Sequence, residues 1–168
     1  MAHISGTLGR HKTKSIKAER FDLQNRVVDA TDATLAVTAH AHEGKIITLN
    51  RAAGVTATLP AATGSGHKYT FIIGTTATSN ANVIEVANST DVMDGSLNIQ
   101  ADTDVDGTTK VWMAEVGDDT MTFAGAATTG GIVGGRIECI DYASGFWTCT
   151  AYTISGGGSE ATPFSAAV

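Results

Sequence analysis

Hydrophobic and polar positions alternate with a period of two along much of this chain, most clearly from Gly44 to Thr76. Ile47 and Leu49 share one side of a first segment. Val55, Ala57 and Leu59 line one side of a second, with Thr56 and Thr58 opposite, and Tyr69, Phe71 and Ile73 line a third. Such alternation predicts three half-buried strands in succession. The intervening stretches, Asn50–Gly54 and Ala61–Gly66, carry the glycines that turns need, and Pro60 closes the second strand because it has no N–H for a ladder.

The same signals continue on both sides. Residues 27–38 (VVDATDATLAVT) suggest a first strand pair around an Asp29–Thr34 turn, with Leu35 and Val37 on one side. Val83–Val86, Leu97–Ile99, Lys110–Val116 and Met121–Phe123 read as further short strands, and turn signals recur often enough to favour a sandwich or barrel over alternating helices and strands. Arg136–Ile154 predicts a hairpin. With a loop at Ala143–Gly145, Ile137, Cys139, Trp147, Cys149 and Ala151 share a face and Cys139 lies directly opposite Cys149. The expected fold is all-β: a single-domain antiparallel β-sandwich or barrel with an extended N-terminal arm. Its parts are a basic arm at 1–26, a β body at 27–155, and a Gly-rich hinge and C-terminal tail at 156–168. Phe164 and Val168 in that tail are candidates for docking on a neighbouring subunit.

A chain of 168 residues is long enough to bury roughly 70% of the surface exposed when unfolded, so one core suffices. Charge changes the picture more than size does. Residues 1–26 hold six cations against Glu19 and Asp22, whereas residues 27–168 hold five cations and fifteen acids, so a basic leading segment precedes an acidic body. The leading segment lacks both periodicity and apolar content, which predicts an arm that orders on a partner. No apolar run approaches the ~18 residues of a membrane span, and no apolar core of a secretory signal follows the first residues, which points to the cytoplasm and away from a membrane. Two cysteines make no disulfide framework, and in that compartment they are expected as buried thiols.

Candidate chemistry is sparse. His40-Ala-His42 could present two imidazoles on one extended face, but zinc needs at least a third protein ligand, and a solvated loop explains the pair. Asp102, Asp104 and Asp106 before Gly107 resemble the start of a calcium loop, yet the twelfth position is Met113 where a bidentate acid belongs, so an acidic hairpin turn is the simpler reading. Gly125–Gly135 lacks the Lys-Ser/Thr ending of a phosphate-binding loop. No nucleophile–base signature is present, which argues against an enzyme and against a cofactor. The acidic body and the lack of aromatics among the arm's cations argue against a nucleic-acid partner.

The phrase TLNRAAGVTATLPAATGSGHKYTFIIG, within a likeness that runs from about Val27 to Ile154, resembles capsid decoration proteins of tailed bacteriophages, also called cement or head-stabilising proteins. That resemblance implies a structural virion protein on the capsid exterior, assembled in the host cytoplasm. It would be a homotrimer that bridges major capsid protein subunits and stabilises the capsid. Capsid contact is expected from Arg10, Lys12, Lys14, Lys17 and Arg20, with Ile16 and Phe21 as apolar anchors. The alternative is a tail-fibre or tail-tip domain that binds a host-surface glycan. It would need an exposed aromatic platform, for which Trp112 and Trp147 are candidates, although alternation assigns each to the core.

Overall fold

A computed structural model describes residues 26–101, 109–125, 128–157 and 160–168. Its strands are β1 (Val27–Ala30), β2 (Thr34–Ala36), β3 (Ile46–Leu49), β4 (Thr56–Thr58), β5 (Lys68–Ile73) and β6 (Asn82–Glu85), followed by β7 (Val92–Ala101), β8 (Thr109–Met113), β9 (Thr120–Phe123), β10 (Arg136–Ala143), β11 (Phe146–Ser155) and β12 (Phe164–Ser165). One short helix, α1 (Ala39–His42), follows β2. Among the described residues these strands form a seven-stranded sheet in the order β1-β3-β5-β10-β11-β7-β8 and a five-stranded sheet in the order β12-β9-β6-β4-β2. The all-β, sandwich-like expectation holds at this level. Both sheets are open at their edges, so the molecule is not a closed barrel.

The antiparallel expectation fails for the first half of the chain. Strands β1, β3 and β5 are parallel neighbours in the larger sheet, and β2, β4 and β6 are parallel neighbours in the smaller one. The chain therefore winds as a coil, crossing from one sheet to the other after every strand. The expected β1–β2 pair does not form, because its turn is an arch between sheets and not a hairpin. Arches stack as the strands do: Thr78 N donates to Ala52 O at 2.7 Å, Asn80 Nδ2 to Ala53 O at 3.2 Å, and the buried Asn82 accepts from Val55 N at 3.0 Å. Gly54 marks a close approach between arches, since its φ is +78° and a Cβ there would stand 2.1 Å from Ala81 O.

Beyond the coil the sheets become mixed. β5 pairs antiparallel with β10, β10 with β11, and β7 with β8, while β11 runs parallel to β7 from Phe146 opposite Val92 to Ser155 opposite Ala101. The β10–β11 hairpin turns through Ser144-Gly145, with a bulge between Asp141 and Ala143, and it places Cys139 opposite Cys149 as the alternation predicts. Inward residues of both sheets form one core containing Ile47, Leu49, Val55, Ala57, Leu59, Tyr69, Phe71, Ile73, Trp147 and Phe123. Each large side chain taken out of water there contributes about 1.5–3 kcal/mol. Phe164 joins this same core at 5% exposure through β12, which pairs with β9, so the C-terminal aromatic is used within its own chain.

Buried carboxylates fasten the loops to this frame. Asp141, on β10, accepts hydrogen bonds from the backbone N–H groups of Thr63 (3.0 Å), Gly64 (2.6 Å) and Ser65 (3.1 Å), and from Ser65 Oγ (2.7 Å). Burial alone would raise its carboxyl, but these donors outweigh it and hold the group well below the usual carboxylate range. Asp91 accepts from Ala62 N at 2.7 Å, just upstream in the same loop, and Asp119 accepts from Ala167 N at 2.8 Å, holding the chain end.

Two outcomes follow from this frame. With its pKa depressed by folding, Asp141 contributes its stabilisation fully above the unfolded carboxylate range and loses it as pH falls through that range toward the lower folded value. Asp141→Asn should thus cost about 3 kcal/mol in urea unfolding at pH 7, and its deficit against the parent should shrink steadily below pH 4. Gly95, at φ +122°, stands opposite Cys149, whose O would lie only 2.0 Å from a built Cβ. Gly95→Ala should lower stability by about 2–4 kcal/mol, read as a shift in denaturation midpoint.

Candidate functional site

The arm residues Arg10, Lys12, Lys14, Ile16, Lys17, Arg20 and Phe21, and the acidic trio Asp102, Asp104 and Asp106, lie outside the described residues. The chain enters the described body at Arg26 and continues directly into β1, an edge strand of the larger sheet.

The histidine pair does not share a face. Thr38 caps α1, its Oγ1 accepting from Ala41 N at 3.4 Å. The helix leaves His40 exposed and turns His42 inward, where its Nδ1 lies 3.0 Å from Thr38 N. The expected solvated loop is therefore a capped turn whose second imidazole serves the packing. His67 Nδ1 instead reaches Glu43 at 2.8 Å. Among the described residues no three His, Cys, Asp or Glu side chains are grouped to hold a metal ion, and no helix is long and apolar enough to cross a membrane. Cys139 and Cys149 are fully buried free thiols with Sγ atoms 3.0 Å apart. Burial, then the contact with Cys149, pushes the Cys139 thiol well up, which leaves it a poor nucleophile.

The most chemically varied surface is the outer face of the seven-stranded sheet. Alternation sends Ile137, Cys139, Trp147, Cys149 and Ala151 inward, so Arg136, Glu138, Tyr142, Phe146, Thr148, Thr150 and Tyr152 face out. Tyr152 is 71% exposed and stands opposite Arg136 on one side and Asn98 on the other; Asn98 in turn stands opposite Val111. Thr150 lies between Glu138 and Ser96, and Thr148 between Ile140 and Asp94. At the far end of the hairpin the Tyr142 and Phe146 rings pack with centroids 6.1 Å apart.

Several polar groups on this face are already held in place. Glu138 Oε2 receives Arg136 Nη2 at 3.2 Å and Lys68 Nζ at 3.3 Å. The Tyr142 hydroxyl donates to Asp94 Oδ2 at 2.5 Å, a bond that raises the tyrosine's pKa. Two shallow clefts flank Tyr152. One of about 170 Å³ is lined by Arg136, Glu138, Thr150 and Tyr152; the other, of about 260 Å³, is lined by residues including Asn98, Gln100, Thr109, Tyr152 and Ile154.

The two tryptophans do not form this platform. Trp147 is fully buried and packs on Tyr69 with ring centroids 5.8 Å apart, while Trp112 is partly buried opposite Leu97. Among the described residues the exposed aromatics are Tyr142, Phe146 and Tyr152. Their signal was present in the same hairpin, as the aromatic positions on the strand faces opposite the Cys139–Trp147–Cys149 set. No protein family, curated protein or solved structure matches the chain.

Proposed function

We propose that this chain is a structural virion protein of the capsid decoration type, which binds the outer surface of a tailed-phage head and bridges major capsid protein subunits. The observation that carries the reading is a division of labour. The body fills its own core and satisfies the buried Asp91, Asp119 and Asp141 with its own donors, while the cations cluster ahead of it in sequence. Because β1 is an edge strand, the chain preceding Arg26 joins the body at its periphery, where a leading segment can reach a neighbouring protein without unpairing the sheet.

In this mechanism the body adds buried area on the shell and the arm's Arg10, Lys12, Lys14, Lys17 and Arg20 meet acidic capsid patches, with Ile16 and Phe21 as anchors. A protein that binds the assembled shell more tightly than free subunits shifts the equilibrium toward the intact shell by mass action. A homotrimer would multiply the effect, since three linked arms raise the effective concentration of each at its site.

Removal of residues 1–26 should reduce co-sedimentation with undecorated heads at least tenfold while leaving the thermal midpoint of the body within a few degrees. In the intact protein, binding should weaken as salt rises from 50 to 500 mM, because the screening length between exposed charges falls from about 14 Å to about 4 Å. Unchanged binding by the truncated chain would remove the arm from the mechanism.

A further inference from the structure

We infer that the outer face of the seven-stranded sheet, centred on Tyr152, is a binding site for a polysaccharide chain. A sugar ring offers an apolar C–H face and a rim of hydroxyl groups. It is held by an exposed aromatic ring beside fixed amide, hydroxyl and carboxylate groups, which supply both donors and acceptors. Tyr152 stands beside groups of each kind, of which the Glu138 carboxylate is held by Arg136 and Lys68. Its ring separates a cleft lined by Arg136, Glu138 and Thr150 from one lined by Asn98, Gln100 and Thr109.

Three further observations favour a sugar polymer over a protein partner. First, the surface between the aromatics carries Asp94, Ser96, Asn98, Glu138, Thr148 and Thr150 around Ile140, with Val111 and Met113 exposed at its β8 edge; charged groups stand within it, whereas the centre of a protein interface is depleted in them. Second, the acceptors are fixed before any ligand arrives, Glu138 by Arg136 and Lys68 and Asp94 by Tyr142, so little side-chain entropy is lost on binding. Third, the clefts are in tandem, and Phe146, packed at a tilt against Tyr142, lies six positions along the same strand from Tyr152, about 20 Å at strand spacing. That reach suits several linked rings better than one monosaccharide. Positive and negative groups are balanced along the face between Phe146 and Tyr152, with Lys68 and Arg136 against Glu138 and Asp94, which favours a neutral polymer.

This site is separate from the basic arm, so it does not depend on how the protein is attached to a larger assembly. The test uses the purified full chain titrated with hexasaccharides of glucose, galactose, N-acetylglucosamine and a uronic acid, followed by NMR shifts and calorimetry. At least one neutral hexamer should bind and perturb the signals of Asn98, Thr150 and Tyr152. Tyr152→Ala and Asn98→Ala should each weaken it at least tenfold, and Tyr152→Phe should keep most of the affinity. Val116→Ser, at a fully exposed position off this face, should change nothing. Both affected side chains project outward, so circular dichroism should show the variants folded. Absence of binding by every hexamer, binding indifferent to Tyr152→Ala, or a Tyr152→Ala loss seen only in co-sedimentation with phage heads would each overturn the assignment.

Discussion

One carboxylate fastens the coil of this molecule to its long hairpin. The coil of β1 to β6 meets the β10–β11 hairpin along a single strand pairing, β5 with β10, and Asp141 sits at the end of that pairing. From there it gathers the amides of Thr63, Gly64 and Ser65, in the loop that returns the chain from the smaller sheet to the larger. Three backbone donors converge on an ionised acceptor out of bulk water, where charge-assisted hydrogen bonds are strong and an unpaired partner is expensive. The neighbouring Asp91 contact with Ala62 makes the same loop answer to β7 as well. Coil, hairpin and the long β7–β11 ladder are thereby held in one register.

The coil imposes constraints of its own. Parallel strands cannot be joined by tight hairpins, so each must be reached by a crossing, and here the facing sheet supplies it. Stacked arches then need short, polar contacts between turns, which explains Asn82 on Val55 N, Thr78 on Ala52 O and the glycine at position 54. The antiparallel second half solves a different problem. It widens the larger sheet and, through β12, lets the chain end complete the smaller one, with Phe164 filling the shared core.

Both proposed surfaces follow from this economy of the interior. Because the buried polar groups on the loops are consumed internally, chemistry is left to what lies outside the core: the cationic leading segment, and the outward rows of β7, β10 and β11. The buried thiol pair illustrates the difference. Cys139 and Cys149 face each other closely, but burial keeps Cys139 protonated and unreactive, whereas Tyr152 two strand positions beyond Ala151's neighbour Thr150 stands open to solvent.

What the residues by themselves determined was local and one-sided. Period-two alternation identified β3, β4, β5 and the β10–β11 hairpin, named their buried faces, and placed Cys139 opposite Cys149, because which side chains leave water is a property of each strand alone. The charge division between the first 26 residues and the rest was equally plain. Tertiary structure decided the partners. A five-residue turn such as Asn50–Gly54 carries the same glycine whether it closes a hairpin or arches across to a facing sheet, and only packing of the arches on one another selects the parallel coil. The same holds for the surface: that Tyr152, Asn98 and Thr150 lie side by side depends on β7 aligning with β11, a contact between strands far apart in the chain that no local pattern encodes.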